Sequence, residues 1–135
     1  MKAFDLIIPK SKVEFIYNDI TVGEALKKIA KKRYAMIPVV ERNSGRYIYS
    51  LAASDLLMKI LKNNDIESTK KEFISSVPVD RLIVPCKKDT EIVDLADLAI
   101  SQNFVPVVDN QGIFLGIVTR RAVIDYFISK DSEGE

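Results

Sequence analysis

The chain has 135 residues, of which 47% are hydrophobic and 29% are charged. This length and apolar content suit one compact domain or two small repeats that share a core, and they exclude disorder as the main state. The 20 basic and 19 acidic residues leave a net charge of +1. Such a balance excludes a global field that would hold the chain on nucleic acid or on an anionic membrane.

The residues needed for common enzyme chemistry are scarce. Cys86 is the only cysteine and there is no histidine, which argues against a disulfide, a zinc site and a Ser/His or Cys/His nucleophile pair. No apolar run approaches the ~20 residues of a membrane span, and residues 4–8 are too short for a signal-peptide core. We therefore expect a cytoplasmic protein without catalytic activity, metal or required cofactor, and with no nucleic-acid or membrane partner.

The first half of the chain reads as one supersecondary unit. Thr21 and Glu24 fit a capping box and predict the start of a helix. Apolar runs on either side of a turn at Gly45 predict two strands. In order, the predicted elements are an extended run at 12–17, a helix from Thr21, strands at 34–40 and 46–51, and a helix from 52 to about 63.

After a polar connector with a short helix predicted at 66–74, the same order of elements recurs. Thr90 is predicted to cap the first helix of this half, whose inward residues are Leu95, Leu98 and Ala99. The remaining elements are an extended run at 81–85, strands at 104–108 and 113–118, and a helix from Thr119.

The two halves superpose at a shift of about 68 residues. Ile37-Pro38-Val39-Val40 falls on Val105-Pro106-Val107-Val108, and Thr21 falls on Thr90. A shared order of cap, helix, strand, glycine turn, strand and helix indicates an internal repeat. One copy would expose a hydrophobic sheet face that its twin can cover, so we predict an α/β fold of two β-α-β-β-α units.

The junction at 114–124 carries the clearest chemical signal. A strand ends at Thr119, which can cap the next helix, and Arg120 and Arg121 occupy its first turn. A helix N-terminus with two guanidinium groups favours an anion such as phosphate. The alternative is that both arginines are solvated and that Thr119 is only a cap.

These motifs resemble a tandem pair of CBS domains over residues 12–129. The resemblance is carried by the two h-Pro-Val-Val strands and by Gly116-Ile117-Val118-Thr119, which is similar to the family's G-h-h-T-x-x-D. Lys12-Val13, residues 34–38 and residues 116–121 also resemble the stand-alone two-CBS proteins of Gram-positive bacteria that bind cyclic di-AMP. The resemblance implies a sandwich-like α+β arrangement with pseudo-two-fold symmetry. Its segments would be repeat 1 at 1–64, a connector at 65–78, repeat 2 at 79–130 and a flexible tail at 131–135.

The resemblance also implies two nucleotide clefts between the repeats. In the first, Val13 and Ile37 would sandwich the adenine, the backbone of 34–36 would read its N6 and N1 edge, and Tyr34 would stack on it or simply pack. The first cleft comprises Lys12, Val13, Phe15, Tyr34, Ala35, Met36, Ile37, Pro38, Thr119, Arg120 and Arg121. The second, weaker cleft comprises Ile83, Val84, Phe104, Val105, Pro106, Ala52 and Asp55.

The chain departs from the family pattern in both repeats. Ala52 stands at the threonine position of the first repeat, and Ala122 stands at the aspartate position of the second. In the family that aspartate binds the ribose hydroxyls of a mononucleotide, but near the phosphodiester of a cyclic dinucleotide it would be an unpaired anion. The pattern therefore favours cyclic di-AMP over AMP or ATP in the first cleft. Asp55 would bind ribose weakly in the second, or would serve only the dipole of its helix.

The resemblance thus implies a nucleotide-sensing regulatory module that signals to a protein partner. The alternative is a scaffold pair that binds AMP, ADP or ATP weakly or binds no ligand. A homodimer is expected, and its apolar contacts are predicted to come from Leu57, Ile60, Ile124 and Phe127.

Overall fold

The computed structural model describes residues 1–32 and 35–134, which form two compact units. Unit 1 combines Met1–Val13 with the chain from Ile83 onward, and unit 2 is Glu14–Leu82. The helices are α1 Ala3–Leu6, α2 Val22–Lys32, α3 Ala53–Asn63, α4 Ile66–Lys70, α5 Ile92–Ser101 and α6 Arg120–Gly134. The strands are β1 Ile8–Pro9, β2 Ile16–Tyr17, β3 Met36–Val40, β4 Tyr47–Ala52, β5 Cys86–Lys87, β6 Phe104–Val108 and β7 Phe114–Thr119. The predicted α/β class is confirmed.

The two units have related sheets. Unit 2 contains the order β2-β3-β4, with β2 parallel and β4 antiparallel to β3. Unit 1 contains β1-β7-β6-β5, in which β5 is parallel to β6 and β7 is antiparallel to it. The two h-Pro-Val-Val segments are the central strands β3 and β6, where β-branched residues suit a buried sheet. Beneath each sheet, apolar side chains such as Leu56 and Leu95 are fully buried.

The predicted capping box is present at the start of α2. The Thr21 hydroxyl accepts from the Glu24 N–H at 3.2 Å, and the Glu24 carboxylate accepts from the Thr21 N–H at 3.3 Å. These bonds satisfy two N–H groups that the helix itself leaves without partners.

The cap predicted at Thr90 is wrong. The Thr90 hydroxyl accepts instead from the Lys87 N–H at 3.0 Å, and Glu91 precedes the first residue of α5. The first helices of the two halves therefore match at a shift of 70 rather than 69 residues. Their corresponding buried residues are Ala25 with Leu95 and Ile29 with Ala99.

Each unit includes the segment that precedes the other repeat in sequence: residues 1–13 belong to unit 1, and the connector belongs to unit 2. In unit 1 the Ile92 N–H donates to the Met1 carbonyl at 3.1 Å, and in unit 2 the Val22 N–H donates to the Glu72 carbonyl at 2.8 Å. Ala3 is fully buried in the core of unit 1. Residues 1–64 were predicted to form one repeat, whereas residues 1–13 pack with the second half. Unit 2 likewise contains the whole connector.

Other predicted bounds differ because short extended segments carry little periodicity. Residues 10–12 form a 3-10 turn, and only Ile16–Tyr17 of the run predicted at 12–17 pairs as a strand. In the second half the paired strand is Cys86–Lys87, just after the extended run predicted at 81–85. The helix predicted at 66–74 ends at Lys70 and is followed by a 3-10 turn at Ile74–Ser76. The predicted tail continues α6 to Gly134, and Glu135 lies outside the described residues.

Candidate functional site

The β7–α6 junction in unit 1 is held by hydrogen bonds that its backbone N–H groups donate. The Arg120 N–H donates to the Asn103 carbonyl at 2.8 Å. The Thr119 hydroxyl accepts from the Ala122 N–H at 3.1 Å, so Thr119 caps α6 as predicted. A capped helix N-terminus presents the positive end of the helix dipole, which is favourable to an anion.

Arg120 and Arg121 have different partners. Nε of Arg120 donates to the Ala99 carbonyl at 2.7 Å, and its Nη2 donates to the Ile100 carbonyl at 3.2 Å. The Arg120 guanidinium therefore satisfies carbonyl groups at the C-terminus of α5, where a cation is favourable. This engagement supports a structural role for Arg120 in place of the predicted role as an anion ligand.

The Arg121 side chain is 81% exposed and forms an ion pair with Asp125, with Nε and Oδ1 3.0 Å apart. Exposed pairs of this kind contribute about 0–1 kcal/mol, so the guanidinium can exchange partners at little cost. Arg121 is therefore the member of the arginine pair that remains available to a ligand.

The N-terminal segment brings two further predicted residues into unit 1. In the pairing of β1 with β7, Ile8 lies opposite Ile117 and Pro9 lies opposite Gly116. The 3-10 turn that ends at Lys12 also contacts β7. Lys12 is exposed and Val13 is half-buried. Both therefore belong to the same compact unit as the Thr119–Arg121 junction, which the assignment of residues 1–64 to repeat 1 had not predicted.

The other predicted residues of the first cleft belong to unit 2, and Tyr34 lies outside the described residues. Ile37 is only 1% exposed and packs in the core, so its side chain lacks the free surface that the predicted base sandwich requires. Pro38 is also buried, whereas Ala35 is exposed and Met36 is half-buried. The half-buried Phe15 ring contacts Tyr17 edge to face, with 5.5 Å between centroids.

The second predicted site has its aspartate at the N-terminus of α3. Asp55 is 8% exposed, and its Oδ2 accepts from the Ala52 N–H at 3.0 Å. This bond supports the alternative in which the carboxylate serves the helix terminus. Burial is the main cause that raises the pKa of Tyr49, and the negative charge of Asp55 raises it further. Asp55 also lines a pocket of about 350 Å³ in unit 2, together with Ser54, Met58, Lys59, Lys62, Asn63, Pro78 and Asp80.

Five other residues of the second predicted site lie in unit 1, next to Gln102, which was not predicted to belong to a site. Ile83, Val105 and Pro106 are buried and Phe104 is half-buried, while Val84 is 43% exposed. Both the N–H and the carbonyl of Val84 are hydrogen-bonded to the carboxamide of Gln102. A glutamine at a helix end carries no distinctive sequence signal, because most such residues are solvated.

The described residues contain no group of three or more Cys, Asp or Glu side chains arranged to hold a metal ion. Within the same described ranges, no helix is both long and apolar enough to cross a membrane.

Comparison with known proteins identifies the repeat. The CBS domain family model matches residues 4–62 and again residues 71–129. A curated relative, SNF1-related protein kinase regulatory subunit gamma-1 of Arabidopsis thaliana, is 26% identical over 93% of this chain, and the match spans 34% of that protein. An uncharacterized protein of Methanocaldococcus jannaschii is 24% identical, with 84% of each chain covered.

Two ligand-bound crystal structures share the fold. CbpB in complex with c-di-AMP has a TM-score of 0.84 and 18% identity, with 96% of this chain and 85% of that chain covered. CBSX2 in complex with AMP, a protein also known in crystals from Arabidopsis thaliana, has a TM-score of 0.76 and 21% identity. The match to the AMP complex covers 96% of this chain and 98% of that chain.

Proposed function

This chain belongs to the CBS domain family, and from that premise we propose that it is a non-catalytic regulatory module that binds an adenine nucleotide and signals to a protein partner. The proposed ligand is cyclic di-AMP. Proteins of this fold have been crystallised with c-di-AMP and with AMP. The choice between these ligands for this chain rests on the chemistry of its own helix termini.

The difference between the two strand–helix junctions carries the proposal. At the start of α3, the third helical residue is Asp55, a carboxylate that is 8% exposed. At the start of α6, the third helical residue is Ala122, and a threonine hydroxyl caps the helix. The α6 terminus thus has a cap, a positive dipole end and an exposed Arg121, without a carboxylate at this position in its first turn.

A phosphodiester fits the α6 terminus better than a ribose with two free hydroxyls. A carboxylate in place of Ala122 would offer acceptors to a ribose diol and would repel a phosphate. A methyl group removes both interactions and leaves the helix dipole and Arg121 to attract the anion. We propose that Lys12, Thr119 and Arg121 form the phosphate-binding part of the site. The adenine-binding role of Ala35 and Met36 stays a prediction.

Regulation requires that the ligand stabilise one conformation of the module over another. A partner protein that binds the two conformations with different affinity then reads nucleotide concentration as a change in binding. This mechanism needs no catalytic group in the CBS module itself.

Calorimetric titration of the purified chain with cyclic di-AMP, AMP, ADP and ATP tests the proposal. We expect heat from cyclic di-AMP at the lowest ligand concentration. If none of the four binds, the sensing function is rejected. If AMP binds more tightly than cyclic di-AMP, the argument from Ala122 is rejected while nucleotide sensing stands.

The exposed apolar face of α5 and α6 supports a homodimer as part of this proposal. Ile100 is 78% exposed, Ile124 46% and Phe127 41%, and all three line a shallow groove in unit 1. Arg120 lies at the same groove. A second copy would remove this apolar surface from water, which is the usual way in which such a face is covered.

The alternative function is a scaffold whose nucleotide sites bind AMP, ADP or ATP weakly or not at all. It is favoured by the engagement of Arg120 and Asp55 in contacts within their own units. A thermal-shift screen in which no nucleotide raises the melting temperature, with retained binding of a protein partner, would support the scaffold.

A further inference from the structure

Gln102 occupies an unusual position between α5 and β6. The residue is only 4% exposed. Its Oε1 accepts from the Val84 N–H at 2.8 Å, and its Nε2 donates to the Val84 carbonyl at 3.0 Å. A third bond runs from Nε2 to the Phe104 carbonyl at 3.2 Å. The carboxamide therefore pairs with both backbone groups of Val84, as a neighbouring strand would.

The hydrogen-bonding pattern of this carboxamide matches that of an adenine edge. A carboxamide presents one acceptor oxygen beside one donor NH₂ group, and adenine presents a ring-nitrogen acceptor beside its N6 amino donor. A residue in extended conformation, whose own N–H and carbonyl face the same side, can pair with either. At Val84 the protein's own side chain has already taken both groups.

The first repeat differs at the matching position. Gln102 stands two residues before β6, and Tyr34 stands two residues before β3. A phenol has a single hydroxyl and cannot pair with an N–H and a carbonyl in the manner of a carboxamide. A tyrosine at this position of the first repeat therefore offers no counterpart to the paired contact that Gln102 makes in the second.

We propose that Gln102 is a built-in substitute for adenine that excludes a nucleotide base from the backbone of Val84. This proposal rests on the proposed nucleotide function, and it deepens that function by assigning base recognition to one of the two predicted clefts. Displacing the carboxamide would leave a buried polar side chain without partners, so a free nucleotide competes poorly with it.

The test follows the Val84 amide signal in ¹⁵N–¹H spectra during titration with AMP, the simplest probe that carries the adenine edge. In the unmodified chain we expect the Val84 signal to stay in place at saturating AMP. In Gln102→Ala the backbone groups are released, and we expect a saturable shift of the Val84 signal. Gln102→Leu, which retains side-chain volume without the polar atoms, serves if the alanine variant fails to fold. Gln111→Ala, in an exposed turn, is the matched control and should behave as the unmodified chain does.

A saturable shift of Val84 in the unmodified chain overturns the proposal, and so does an unmoved Val84 in the folded Gln102 variants. These outcomes are separate from the failure of the proposed function, which would appear as an absence of nucleotide binding to the unmodified chain by calorimetry. AMP binding at Val84 in the variants alone would support the role of Gln102 even if the unmodified chain bound no nucleotide.

Discussion

Arg120 and Arg121 are adjacent in sequence but have different physical roles. The guanidinium of Arg120 bonds to two carbonyl groups at the end of α5. That of Arg121 is exposed and pairs with Asp125, one turn further along the same helix. Only Arg121 can turn toward a ligand without leaving backbone carbonyls unsatisfied, and we therefore place the test of anion binding on this residue.

Arg121→Ala should weaken cyclic di-AMP binding by about 10-fold or more, because a charge-assisted bond contributes ~1.5–3 kcal/mol. The melting temperature without ligand should change little, since the pair with Asp125 is exposed. Calorimetry and thermal unfolding measure the two effects. Arg46→Ala, an exposed arginine in the turn before β4, is the control. Equal affinity of the two variants would contradict a ligand role for Arg121.

Cys86 makes the free energy of unfolding decrease with pH in the alkaline range. Burial raises the pKa of this thiol from its ordinary 9.0 to about 11. The folded chain therefore keeps the proton over a range in which the unfolded chain releases it, and the free energy of unfolding falls as pH rises through this range. Cys86→Ala should lose stability less steeply from about pH 8 to about pH 11, as measured by denaturant unfolding. Parallel pH profiles of the two proteins would contradict this expectation.

For single residues, the sequence predicted which side chains have suitable chemistry better than it predicted whether those side chains are free to contact a ligand. The predicted cap at Thr119 was confirmed. Such a cap can be predicted from sequence because the hydroxyl bonds to an N–H only three residues away. Residues 34–40 were predicted as a buried strand, but Ile37 was also assigned to the base, because a strand residue in an apolar run can face either the core or a ligand. The role of Gln102 depends on Val84, 18 residues away, and this pairing leaves no local pattern.

Among the secondary-structure elements, β1 depends on a single glycine of its partner strand. Gly116 has φ of +152°, and a Cβ at this position would lie 2.1 Å from the Ile8 carbonyl oxygen. Backbone conformation and close approach both therefore favour glycine. The pairing of the N-terminal segment with β7 requires this absence of a side chain.

Gly116→Ala should lower the free energy of unfolding by about 2–4 kcal/mol, since the new methyl group forces β1 away from β7. Gly112→Ala, with φ of +84°, is the control for backbone strain without the clash against β1. Denaturant unfolding compares the two variants. An equal loss in both would show that the contact with β1 contributes nothing.

At this scale the sequence predicted β3, β4, β6 and β7 and missed the short outer strands β1 and β5. The h-Pro-Val-Val runs are long and apolar enough to identify β3 and β6. The exchange of residues 1–13 into the second half has no local signature, because a two-residue strand such as β1 is defined only by its partner. The cap predicted at Thr90 was wrong because α5 begins one residue later than expected and the threonine hydroxyl is bonded to the Lys87 N–H.

For the whole molecule, the apolar groove on α5 and α6 predicts the oligomeric state. Ile124→Glu should convert a dimer to a monomer, because it places a charge on the face that the second copy would cover. Sedimentation velocity measures the change. Ile48→Glu, on β4 and 43% exposed against 46% for Ile124, is the matched control and should remain dimeric. A monomeric unmodified chain, or a dimeric Ile124→Glu variant, would reject this interface.

The exchange of the N-terminal segment also sets an order of events during synthesis. Unit 2 is one uninterrupted stretch, so a ribosome that has released residue 82 has supplied all of it. The first 13 residues must wait for β7, which is more than 100 positions downstream. Contacts between such distant segments form slowly. Residues 1–13 are synthesised well before their partner strand and are therefore among the last segments of unit 1 to pack, and until then they are open to proteases and chaperones.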